Sequence, residues 1–198
     1  MQHKRTIKLI FFAFTLASYS YPLLSEPNQT SDIEVLQNTK NPEQIIDEQD
    51  LLNAAIYSNR GSVGISQKQW NTALKDLNRA IELDPNFARA YMNRGLLYSI
   101  LKRWDDALKN FNRAIELYPK FFPTYIYRGY IYGFKQEFES AIRDLNQAVS
   151  LNEQNATAYY VRATVYGKQE QWDHALHDIN QAIEIDPDSA ANYIFRGN

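Results

Sequence analysis

The residues with the most chemistry to offer in this chain are few, and their spacing limits what they can do. His174 and His177 stand three apart, so on a helix they share a face, with Asp173 and Asp178 beside them. Zinc sites use three or four placed ligands, and no third has a defined place here. Both histidines flank Ala175 and should point to solvent. The remaining histidine, His3, lies in a basic leader. There is no cysteine, which excludes disulfides, thiolate nucleophiles, cysteine-held metals and thiol-linked lipid anchors. Asp105-Asp106 and Glu137/Glu139 precede apolar periodic runs, where acids favour a helix N-terminus, so they read as capping groups rather than acid–base pairs. The glycines fall mostly one per repeat and form no phosphate cradle. No catalytic residue, cofactor or metal site is expected, and the chain does not read as an enzyme.

A second set of polar residues is periodic. Arg60, Arg94, Arg128, Arg162 and Arg196 recur every 34 residues, each followed by glycine except at Ala163. They could form a basic stripe for anionic partners. The competing reading pairs them with Asp76, Asn110, Asp144 and Asp178, which keep the same phase. The shared phase favours internal pairing, with arginine as a forked donor between helices. As surface pairs these would contribute about 0.2–1 kcal/mol each.

The elements that position these groups follow from the same period. From Ala54 the chain divides into units 54–87, 88–121, 122–155 and 156–189, with a fragment 190–198. In the second unit Tyr91, Gly95 and Tyr98 share one helical face, and Trp104, Ala107, Leu108, Phe111, Ala114 and Ile115 make the apolar stripe of a second helix. Lys102-Arg103 is the turn between them, and Pro119 ends the second helix. Small residues (Gly95, Ala107, Ala114) recur in every unit opposite large ones (Trp104, Phe111), as close helix packing requires. The predicted fold is all-α, a solenoid of antiparallel helix pairs.

The pattern Tyr91-x-x-Arg94-Gly95-x-x-Tyr98, then Ala107-x-x-x-Phe111, Ala114 and Pro119, resembles the tetratricopeptide repeat across residues 54–198. Departures are local: arginine stands before the glycine in place of leucine, Gly64 replaces a tyrosine, and Glu153 replaces the terminal proline. The resemblance implies a right-handed superhelix with a concave groove lined by first helices, used to hold proteins or peptides. The groove residues it implies are Ser58, Asn59 and Ser62; Arg89, Met92, Asn93 and Leu96; Ile126, Tyr127 and Tyr130; and Tyr160, Val161 and Thr164. Within that set Asn59, Arg89, Asn93, Tyr127, Tyr130, Tyr160 and Thr164 are the expected peptide contacts. Asn59 and Asn93 would bond the peptide backbone, and the tyrosines would supply anchors of large contact area. Some members of the family clamp a chaperone's C-terminal carboxylate with lysine, asparagine and further basic residues. At the corresponding places this chain has Ser58, Ser62, Asn93, Pro123 and Tyr127, a single match, so that clamp is not expected.

The first 25 residues differ in kind. Lys4, Arg5 and Lys8 precede an apolar run from Leu9 to Ala17, and Ser18-Tyr19-Ser20 supplies small residues before Tyr21. This is the layout of a secretory signal peptide, implying a secreted or periplasmic protein. The alternative is an uncleaved membrane anchor over residues 9–24, shorter than the roughly 20 apolar residues of a spanning helix. Residues 26–53 read as a polar tether, mostly flexible, in which a helix can begin from about Pro42 and lead into the repeats. Formal net charge is −2, which gives no electrostatic case for nucleic acid. The expected function is a protein-interaction module or scaffold. A membrane-tethered assembly factor and a self-associating structural protein, joined through the C-terminal stub, are the alternatives.

Overall fold

The computed structural model describes residues 48–196, the Ile194 side chain excepted; the expected leader and most of the tether lie outside the described residues. Every regular element among them is a helix. They pair as α1 (Glu48–Ser66) with α2 (Trp70–Leu83), α3 (Ala88–Ile100) with α4 (Trp104–Leu117), α5 (Phe122–Phe134) with α6 (Phe138–Leu151), and α7 (Ala156–Lys168) with α8 (Trp172–Ile185). The short helix α9 (Ala190–Arg196) follows. Residues 48–53, within the expected tether and after Pro42, form the opening turns of α1.

Each hairpin closes because a large residue meets a small one. Leu77, Phe111, Leu145 and Ile179 are fully buried at the middle of their second helices, with alanines on either side of them also buried. Opposite Phe111 lies Gly95, where an added Cβ would come within 2.6 Å of the ring. Gly129 stands likewise against Leu145, at 2.9 Å. Contacts this close leave no room for a side chain, which is why glycine holds the position.

The turn inside each hairpin is also repeated. Lys68, Lys102, Gln136 and Glu170 have φ of 60°, 59°, 65° and 61°, the left-handed region. In the second unit Arg103 N–H donates to the Tyr98 carbonyl at 2.8 Å and Lys102 N–H to that of Ser99 at 3.0 Å. This two-bond closure satisfies carbonyls that the helix end would leave unpaired. Glycine is the usual residue there, and none of the four units uses it.

Between units, α2, α4, α6 and α8 each pack on the first helix of the next hairpin; α1, α3, α5 and α7 also touch in series, and α9 meets α7 through Phe195 on Tyr160. The first helices thus form a continuous inner row. They are buried on several sides: Ala90, Asn93, Gly95 and Leu97 of α3 all lie inside. Glu153 leaves its turn intact, because Asn155 caps α7 by accepting the Ala158 N–H at 2.9 Å. The acids read as caps behave differently. No side chain caps α4 or α6; Asp105 and Asp106 lie in the first turn of α4 and pair with Lys135 (3.2 Å) and Arg103 (2.7 Å).

Gln136→Gly should relieve the left-handed strain and raise stability by up to about 1 kcal/mol. Gln136→Val should lower it, since a β-branched side chain tolerates that region poorly. Urea unfolding of the two variants against the parent checks the sign of each effect.

Candidate functional site

The inner row of first helices presents the expected groove, and the structure sorts its residues into two groups. Position by position along each helix, Asn59, Asn93, Tyr127 and Val161 are equivalent. The last three are buried in the seam with the preceding hairpin. Asn93 Nδ2 donates to the Ser58 hydroxyl at 3.2 Å, and the Tyr127 ring stacks on Phe111 with centroids 6.0 Å apart. This corrects the expectation that Asn93 bonds a peptide backbone and that Tyr127 anchors one. Ser58, Ile126 and Val161 are sealed as well. Asn59 is exposed, but in the register of the seam rather than of the groove.

The second group remains accessible. Met92, Leu96, Tyr130 and Tyr160 are half-buried. Tyr130 packs against the cluster around Phe111 and against the cluster around Leu145, so it spans the seam between second and third units. Tyr160 joins the Leu145 cluster and meets Phe195 of α9 edge-on at 5.9 Å. Thr164 is half-buried, with its hydroxyl donating to the Tyr160 carbonyl at 2.9 Å, so its hydrogen stays within the helix. Arg89 is half-buried at the start of α3. The result is an apolar and aromatic strip running from Met92 to Tyr160. Burial, with the neighbouring Tyr160, pushes the Tyr130 phenol up to about 12.

The arginine series holds this strip in place. Arg128 donates from Nε and Nη2 to both Asp144 oxygens, each at 2.7 Å, and from Nη1 to Asn112 Oδ1 at 2.8 Å. Arg162 repeats the arrangement with Asp178 and Asn146. Arg94 uses Asn110 and Asn78, each at 2.8 Å. Each guanidinium therefore binds the second helix of its own hairpin and that of the hairpin before. A tyrosine three residues earlier faces the cation in every unit, from Arg60 on Tyr57 at 4.9 Å to Arg196 on Tyr193 at 5.3 Å. The basic-stripe reading loses its cations to these bonds. Arg128 and Asp144 side chains are 18% and 6% exposed, so the pair is not the surface contact the sequence implied. Burial opposes the Arg128 cation, but hydrogen bonding to Asp144 and its charge outweigh that and raise its pKa. The contact to the preceding hairpin was missed from sequence, although Asn78, Asn112, Asn146 and Asn180 share the 34-residue phase. So do Tyr57, Tyr91, Tyr125, Tyr159 and Tyr193.

The groups considered for chemistry are otherwise engaged. Asp178, one of the two carboxylates beside the histidine pair, is held by Arg162, and the His174 ring stacks on Tyr166 at 5.0 Å. Among the described residues no three metal-ligating side chains cluster.

Helix hairpins of fixed length stacked in series, with a strip of first-helix side chains left open, define an α-solenoid scaffold. The chain belongs to the tetratricopeptide repeat family: the family's "Tetratricopeptide repeat" profile matches residues 88–121 and 156–189, and its "TPR repeat" profile matches 61–101 and 129–170. Among curated protein sequences none matches this chain. Solved structures share the fold. MamA from Desulfovibrio magneticus RS-1, residues 41 to the end, superposes with a TM-score of 0.62 at 20% identity, covering 71% of this chain and 80% of that one. The Cut9 and Hcn1 hetero-tetramer of the APC/C gives 0.70 at 18% identity, with 74% of this chain matched to 29% of that one. The first TPR of Spaghetti (RPAP3), bound to the HSP90 peptide SRMEEVD, gives 0.58 at 21% identity, covering 61% and 95%. At these identities the likeness is one of fold.

Arg128→Ala leaves Asp144 buried without its cation and should cost about 3 kcal/mol. Asp144→Asn, which reproduces the second unit's own Asn110, should cost clearly less. Chemical denaturation of both variants tests the ranking. The Tyr130 phenol, raised above the ordinary value near 10, contributes stability below pH 10 that is lost as pH climbs toward 12. The loss is on the order of 2–3 kcal/mol, and Tyr130→Phe should make the alkaline decline shallower in thermal melts taken across that range.

Proposed function

We propose that this chain is an exported tetratricopeptide scaffold that holds a segment of a partner protein along the strip formed by Met92, Leu96, Tyr130 and Tyr160. The observation that carries the reading is the continuity of half-buried apolar and aromatic side chains across successive first helices. Tyrosine gives large contact area for little lost entropy and leaves a hydroxyl for a peptide group. Arg89 and Thr164 flank the strip at its two ends.

The bound segment differs from that of Spaghetti, whose peptide ends in Glu-Glu-Val-Asp. An acidic tail needs cations on the third first-helix, where this chain has Pro123 and Tyr127, both buried. An apolar or aromatic segment matches the strip better. Export rests on the leader pattern of residues 1–25.

A photo-cross-linking side chain at Leu96 should capture a partner in the native host, and the same group at Lys109, on the outer helix α4, should not. Adding Tyr160→Ala to the Leu96 probe should abolish capture. The mature N-terminus read from the same sample should be Tyr21. Equal capture at Leu96 and Lys109, or capture unchanged by Tyr160→Ala, would remove the groove from the reading. A retained leader would replace export with membrane tethering.

A further inference from the structure

We propose that α1 is a pairing helix through which two copies of this chain associate side by side, in parallel, about a two-fold axis. The inference stands apart from the groove reading and uses a different face.

Gln49, Leu52, Ile56, Asn59, Val63 and Ser66 follow one another at alternating spacings of three and four residues, and all six are exposed. Leu52, Ile56 and Val63 retain 56%, 51% and 52% of their accessible surface, the most exposed large aliphatic side chains among the described residues. A three–four alternation is the seven-residue repeat that lets two helices keep one seam in contact. Along that seam the first positions are Gln49, Ile56 and Val63, and the fourth positions are Leu52, Asn59 and Ser66. β-Branched residues at the first position with leucine at the fourth favour a parallel two-stranded pair. Parallel pairing also sets Asn59 against its own copy, where two amides can bond each other.

The face is continuous with an interface the molecule already uses. Ile56 holds the register of Ala90, Thr124 and Ala158, and Val63 that of Leu97, Ile131 and Val165; all six of these counterparts are at most 2% exposed, against the hairpin before them. In α1 nothing among the described residues covers the equivalent side chains. A preceding hairpin joined in the usual way does not fit, because α1 runs 19 residues against 13 for α3, α5 and α7. Its extra turns occupy the place where later units put their connecting turn, and they add Leu52 to the stripe.

Charge and symmetry favour a second copy as the occupant. Glu48, Asp50 and Arg60 are the charged residues of α1, and Arg60 is bonded to Asp76 through Nε and Nη2. The six seam positions themselves, Gln49, Leu52, Ile56, Asn59, Val63 and Ser66, carry no charge. The opposite end of the stack is not an open acceptor for α1. There α9 is seated, with Asn192 2% exposed and donating to the Ala182 carbonyl at 3.2 Å, and Phe195 against Tyr160. Head-to-tail growth is blocked by α9, whereas a self-matching face closes after two copies. The helix is already built by its packing on α2 and α3, so pairing orders little new chain. A stripe on one helix about 28 Å long offers well under the roughly 800 Å² per partner of a standard interface. Association is therefore micromolar or weaker.

The test is sedimentation equilibrium of the full chain from about 1 to about 500 µM, the range such an interface calls for. Mass should rise from monomer toward dimer, and Ile56→Asp with Val63→Asp should weaken the association by at least about tenfold while leaving helicity and melting unchanged, because both side chains are exposed. The chain has no cysteine, so Asn59→Cys alone reports the geometry. In a parallel pair it should oxidise to a disulfide-linked dimer, and Lys109→Cys should not. A chain monomeric throughout, with no disulfide at position 59, overturns the proposal. So does a dimer broken by Trp172→Asp and untouched by the α1 changes, which would place the contact at the other end. Dimerisation that appears only after removal of residues 1–47 would show the stripe covered by its own chain, and would overturn it equally.

Discussion

One side chain per repeat joins three others, and the rest of the stack depends on it. Arg94, Arg128 and Arg162 on α3, α5 and α7 each bind a carboxylate or amide on their own hairpin, an amide on the previous hairpin and the ring of a tyrosine one turn away. A guanidinium is suited to this because its donors leave in fixed, planar directions. The hydrophobic contacts are stronger in sum, but they are non-directional and would tolerate sliding. The forks do not. They fix the axial register of each hairpin on the one before, and so fix the length of the repeat: a residue gained or lost would change one of the two sixteen-residue spacings that each fork spans, as from Arg94 to Asn78 or to Asn110.

That register decides what is left for a partner molecule. Each first helix has its second helix on one side and neighbouring hairpins on two more. What stays open is narrow. Asn93 and Tyr127 were drawn into the seam, while Leu96 and Tyr130 were left facing out. In the proposed groove the half-covered side chains are few, and they change from Met92 and Leu96 in the second unit to Tyr130 and Tyr160 in the third and fourth.

The hairpins were readable in advance because second helices have a single apolar stripe. Trp104, Ala107, Phe111 and Ala114 all fall on one side, and a period of 3.6 residues appears without ambiguity. First helices are buried from several directions, so their polar and apolar residues follow no simple period. Sequence could place Asn93 on the right helix and not on the right side of it. The arginine partners on the same hairpin were legible from phase alone. The asparagines on the previous hairpin carried an equally regular phase, and reading them required knowing that hairpins stack in sequence.

The second rung departs from its fellows: Arg94 meets Asn110 where the other complete units offer aspartate. A neutral amide takes the same hydrogen bond without attracting the cation through space. Dissolved ions screen attraction between charges and leave a bond to an amide nearly untouched. Ionic strength therefore acts unevenly along the stack, most on the exposed Arg60 pair, less on the two sheltered carboxylate rungs, and least on this neutral joint.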